Sequence, residues 1–278
     1  MSGPRTAIAT GSVLPRSPLL GGVLAKAVRD RWVPFVAITA VLWFYTAFAL
    51  GVYSSFGNEA VNLVQQMPDA LSALYGSNDG TVAGVVASAT FAIMAPMVLV
   101  AYAIVSGKSA VLGEEKQRSL DLLLTSPVSR TRVLLSQLLV VGVAVVLISV
   151  LTWLGMEAVA AVVGMDLSGQ DIAAATLQLC GLAWMFGALS AAICAWTGSG
   201  VGAGVAGAVA AISYFLTTLL PVSPELADYA RYTPWYLYTG PEPLVGGVGW
   251  WQFLVLVAIA AALVLAALIG YRRRDLRG

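Results

Sequence analysis

Histidine is absent from this 278-residue chain. Its absence removes the commonest metal ligand and the commonest general base. Charge is scarce too. Asp, Glu, Lys and Arg make up 10% of the residues and hydrophobic residues 59%, whereas a soluble domain carries about 25% charged residues. That balance excludes a soluble enzyme and points to a polytopic membrane protein. The two cysteines, Cys180 and Cys194, fall in one apolar run. On a single helix they stand about 21 Å apart, beyond disulfide reach, so they read as apolar filler. Residues 1–20 hold Pro4, Pro15 and Pro18 but no secretory apolar stretch or cleavage pattern. Residues 1–21 are therefore expected to be a flexible cytoplasmic tail, and residues 22–278 a single transmembrane domain.

The most charged segment in the chain is Gly113 to Arg132, G-E-E-K-Q-R-S-L-D-L-L-L-T-S-P-V-S-R-T-R. It lies between two runs long enough to cross a bilayer. Glu114 and Glu115 suit the opening of a helix. Leu120, Leu123 and Leu124 recur at helical spacing. Pro127 disfavours helix at Ser126. The expected element is a short amphipathic helix of about 12 residues, roughly 18 Å long, held at a membrane surface.

The remaining chain divides into long apolar runs. Gly22 to Arg31 alternates apolar and basic positions and reads as an interfacial helix. Spans are expected at Val33–Tyr53, Thr81–Ser106, Val133–Val159, Ile172–Trp196, a fifth ending near Leu220, and Trp250–Tyr271. Pro96 should kink the second. Gly198 and Gly202, and Gly200 and Gly204, have the small-xxx-small spacing that lets helix backbones approach closely, so these four are the expected packing residues of the fifth span. Glu157 is the one acid within an apolar run. It lies about 36 Å along its helix from Val133, which suits the outer headgroups; the other reading is a polar contact for substrate. Residues 221–249 are rich in proline and aromatics, too polar to span, and their tyrosines and Trp235 suit an interface.

Charge orients these spans. With both termini cytoplasmic, one of the 15 basic residues, Arg231, lies outside, and the other 14 lie inside. Glu59, Asp69, Asp79, Asp166, Asp171, Glu225, Asp228 and Glu242 all lie outside. The positive-inside rule accepts this arrangement and rejects its inverse. Nucleotide chemistry finds no place here. Gly107-Lys108-Ser109 ends like a phosphate-binding loop, but Tyr102 stands where that loop needs glycine. Glu114-Glu115-x-x-Arg118 is one residue short of a paired-glutamate intramembrane protease motif, whose chemistry also needs the missing histidine.

Glu114, Glu115, Lys116, Arg118, Leu120, Asp121, Leu122, Leu123, Thr125, Pro127 and Ser129 together resemble the first cytoplasmic loop of ABC-2-type transporter permeases, the membrane subunits of ATP-binding-cassette exporters. Ser119-Leu120 stands where that family usually has Gly-Thr. The resemblance implies an all-α, six-span permease with an N-terminal elbow helix, a cytoplasmic coupling helix between spans two and three, and a re-entrant segment before span six. It implies that Glu114, Glu115, Arg118, Leu120, Asp121, Leu123 and Leu124 contact an ATPase. The chain itself would hold no cofactor and perform no catalysis. ATP and Mg would be bound by two separate ATP-binding subunits, and a second permease subunit, identical or homologous, would complete the pathway. The expected setting is the cytoplasmic (inner) membrane of a prokaryote, among lipid and with no nucleic acid partner. A non-transport scaffold of an envelope complex is the alternative, and a channel is a third.

Overall fold

The computed structural model describes residues 18–56, 59, 62, 66, 82–116, 130–163, 168–223 and 225–273. The elements among them are all helical. They are α1 (Pro18–Phe56), α2 (Val82–Ala89), a π-helical turn (Thr90–Met94), α3 (Ala95–Lys116), α4 (Arg130–Val163), α5 (Gly169–Thr197) and α6 (Val201–Leu219). Two 3₁₀ turns (Leu220–Val222 and Ala227–Tyr232), α7 (Tyr236–Thr239) and α8 (Trp250–Arg273) follow. The described residues include 6 segments long and apolar enough to cross a membrane: Arg31–Val52, Val85–Gly113, Thr131–Val162, Gly169–Thr197, Val201–Val222 and Trp250–Arg273. Uninterrupted apolar sequence makes them helices, because helix satisfies every backbone group where no water can.

Three features differ from the sequence expectation, two at the end of a span and one at a span's centre. Gly22–Arg31 and the first span form one unbroken helix of 39 residues with Pro34 inside it. Proline removes one backbone bond but its fixed φ is helical, so the chain continues through it. The second lies at the centre of the second span. Just before Pro96, where a kink is expected, lies the π turn, in which Ala95 N–H donates to Thr90 O, five residues back. Inserting one residue per turn relieves the clash that the proline ring would make in a straight helix. The third lies at the end of that span. Glu114 and Glu115 do not open a new helix; they fall in the last turn of α3. Ala110, Val111 and Leu112 are buried, and that packing carries the helix past Ser106.

The fourth span, α5, is the centre of the molecule. It packs against α3, α4, α6 and α8, while α1 lies against α4. Phe186, Leu179, Leu182 and Ile172 of α5 are fully enclosed, with Phe91, Leu99, Ile148 and Leu256 around them. A second cluster at the other end joins Val111, Leu112 and Leu134 to Ala191, Ala195 and Ala267. Gly198 closes α5 with φ of 68°, a left-handed conformation that favours glycine.

Candidate functional site

The end of the bundle that carries Arg31, Lys108 and Arg273 is tied together by polar contacts between spans. Arg31 Nη1 donates to Gln137 Oε1 at 2.8 Å, linking α1 to α4. Ser190 Oγ donates to Ile104 O at 2.8 Å, linking α5 to α3. Trp196 Nε1 donates to Ala266 O at 2.9 Å, and the Arg273 guanidinium lies 5.9 Å from the Trp196 ring centre. A Cβ placed on Gly200 would lie 2.9 Å from Lys108 Cε and 3.1 Å from its Nζ. Lys108 therefore rests over the turn between α5 and α6. Gly107-Lys108-Ser109 lies inside α3 and not in a loop after a strand, which removes a phosphate-binding loop on geometric grounds.

At this end, the last turn of α3 contains Glu114 and Glu115. Arg118, Leu120, Asp121, Leu123 and Leu124 lie outside the described residues, and α4 takes up the chain again at Arg130. The structure thus brings the two ends of the charged stretch to the second and third spans, with Arg132 exposed.

The glycines expected to pack the fifth span divide into unlike roles. Gly198 is the α5 cap, and Gly200 precedes α6. Gly202 makes a true close approach: a Cβ there would meet Cys194 N and Sγ at 2.7 Å and Ser190 O at 2.8 Å. A Cβ on Gly204 would meet nothing within 4 Å, so among the described residues it has no close neighbour. The tightest helix crossing lies elsewhere. A Cβ on Gly107 would overlap the Gly187 carbonyl, and one on Gly187 would meet Ala103 O at 3.0 Å. Ala103 and Gly107, like Gly187 and Ala191, are four apart, so the same small-xxx-small rule could have found them.

At the opposite end, Glu157 folds against the start of α5. A Cβ on Gly169 would lie 2.7 Å from Glu157 Oε1, and that oxygen is buried without a hydrogen-bond partner among the described residues. Trp153 Nε1 donates to Gly169 O at 3.2 Å beside it. An acid at a helix N-terminus is favourably placed against the helix dipole. Glu157 thus sits at a helix end and not midway along the bundle.

Sequence reasoning missed the depth of the segment between the fifth and sixth spans. Trp235 is buried against Phe186 and Tyr214, with ring centres 6.1 Å and 5.3 Å away. Trp235 N–H donates to Ser213 Oγ at 2.8 Å, and the Thr217 and Thr233 hydroxyls bond to each other. Tyr238 Oη donates to Phe91 O at 2.6 Å, inside the π turn. Burial pushes the Tyr238 phenol well above its ordinary value, so it stays a donor. Gln178 Nε2 donates to Gly249 O at 3.1 Å and fixes the start of α8 to α5. The one signal in the sequence was Pro96, which leaves a carbonyl in need of a donor.

Among the described residues, no group of His, Cys, Asp and Glu could hold a metal ion. Residues 20–272 match the family model described as multidrug efflux system permease Rv1217c, C-terminal domain. No curated protein matches the chain.

Proposed function

The chain belongs to this multidrug efflux system permease family, and from that premise we propose that it is the membrane subunit of an ATP-binding-cassette exporter, driven by separate ATP-binding subunits. The match over nearly the whole chain carries the transport reading. The acid-basic pairs and leucine stripe between Glu114 and Ser129 support the finer part. Two permease subunits would frame the pathway, and two ATP-binding subunits carrying ATP and Mg would bind beneath them. The stretch from Glu114 to Ser126 would enter a cleft on each ATPase, its leucines buried and Glu115 and Arg118 fixing its orientation. Because α3 runs into Glu114 and α4 departs from Arg130, a push on this stretch would reach the second and third spans directly.

In the proposed setting, the chain crosses the cytoplasmic membrane of a prokaryote with both termini inside. α1 is about 58 Å long by its residue count, far more than the ~30 Å core. Its first turns, with Lys26 and Arg29, would then lie along the inner interface. Residues 220–249 would re-enter the outer leaflet, which agrees with the packing of Trp235 against Phe186.

The test is co-purification of the Leu120→Ala/Leu123→Ala variant with the ATP-binding subunit proposed to drive it. Burying one leucine contributes ~1.5–3 kcal/mol, so losing two should release the ATPase while the permease stays inserted and monodisperse. Undiminished co-purification and transport would contradict the coupling role.

A further inference from the structure

A cavity of about 400 Å³ lies where Met185 and Phe186 of α5, Val209 of α6, and Ile259 and Leu263 of α8 face residues 231–234 and Leu237. That volume suits a small organic molecule. Its walls are apolar except on the side where Arg231, Tyr232 and Thr233 stand. Ile259 and Leu263 lie nine and thirteen residues after Trp250, about 13–20 Å along α8, which is hydrocarbon depth in a bilayer. Arg231 is also the one basic residue that the proposed topology leaves on the outer side. Its ion pair with Asp228 is long, 3.4 Å, and both side chains are open, 67% and 84% exposed. A charge at membrane depth is costly unless it meets a partner or lines a pathway. Asp228 supplies a loose partner, which an incoming anion could replace.

We propose that this cavity is a binding site for an amphiphilic organic anion in transit: the apolar body fills the space against Phe186 and Leu263, and the carboxylate, sulfonate or phosphate head pairs with Arg231. The assignment rests on the export reading above and names the class of cargo for it. The guanidinium gives orientation through charge-assisted hydrogen bonds, and the apolar walls give affinity without narrow shape selection.

The test uses the full chain in phosphatidylcholine nanodiscs and a matched pair of fluorescent probes. 8-Anilino-1-naphthalenesulfonate carries the anionic head, and N-phenyl-1-naphthylamine has the same ring skeleton without it. Saturable binding of the sulfonate should weaken at least tenfold in Arg231→Gln and less in Arg231→Lys, while the neutral probe binds all three proteins alike. A change below twofold in Arg231→Gln, or an equal loss of both probes, would overturn the site. Displacement of the sulfonate by phosphatidylglycerol added to the discs, with no export of the probe, would make the occupant a resident lipid and overturn the cargo assignment. In vesicles carrying the permease with its ATPase, Arg231→Gln should lose export of the sulfonate and keep export of the neutral probe. A wild-type complex that exports neither probe while the arginine-dependent binding persists would sink the export reading and leave the site standing.

Discussion

Pro96 acts on this fold through the hydrogen it lacks. In the π turn, Ala95 N–H is committed to Thr90 O, so the α-helical donor for Phe91 O is gone. The next donor in the π register would be residue 96, which is proline. Phe91 is buried, and an orphaned buried carbonyl costs about 1–3 kcal/mol. Tyr238 supplies the missing donor from a segment 147 residues away. Tyr238→Phe should therefore destabilise the purified protein by about 1–3 kcal/mol in thermal or denaturant unfolding. Pro96→Ala restores an N–H at that point, so the Tyr238→Phe cost should shrink in its background. An equal cost in both backgrounds would mean that the two residues are not coupled. Tryptophans make similar crossings. Trp43 Nε1 donates to Leu151 O at 2.8 Å and Trp184 Nε1 to Gly142 O at 3.1 Å, each joining two spans through the second lone pair of a helical carbonyl.

At the scale of elements, close packing of small residues fixes which helices touch. Gly107→Ala should destabilise the bundle, because its methyl would overlap the backbone of α5 at Gly187, and neither backbone can yield cheaply. Gly202→Ala should also destabilise, against Cys194 and Ser190. Gly204→Ala has open space and should be neutral or slightly stabilising, since alanine favours helix over glycine by about 1 kcal/mol. Unfolding midpoints of the three variants decide this, and a Gly204→Ala loss as large as that of Gly107→Ala would contradict the placement. The contrast also explains what could be read from sequence. All six spans were legible, because long apolar runs between polar flanks announce themselves. The central position of α5 was not. Lipid is as apolar as a protein core, so a buried face such as that of Leu179 and Phe186 and an exposed one such as that of Phe44 and Phe48 carry the same residue types. The glycine run of the fifth span carries the commoner packing motif, but Ala103/Gly107 and Gly187/Ala191 hold the tighter crossing. Glu114 and Glu115 misled in another way. Acids suit a helix start, but burial of Val111 and Leu112 extended α3 beneath them.

For the whole molecule, charge asymmetry and family membership support the arrangement proposed above, in which the basic ends of a bundle around α5 would lie inward and the Glu114–Ser129 stretch would meet an ATPase. Topology can be read directly in a background lacking Cys180 and Cys194. A cysteine at Ser77 should react with an impermeant thiol reagent in intact cells, and one at Ser119 only after permeabilisation; the opposite pattern at either site would overturn the orientation. The scaffold alternative differs from the permease in one respect, which is ATP-dependent movement of a solute. The decisive measurement is accumulation of a fluorescent efflux substrate in inverted membrane vesicles that hold this chain with its ATPase, the chain alone, or the ATPase alone. ATP-dependent accumulation is expected in the first vesicles only, abolished by Leu120→Ala/Leu123→Ala. Equal accumulation in all three, or undiminished accumulation with the double variant, would contradict the export reading.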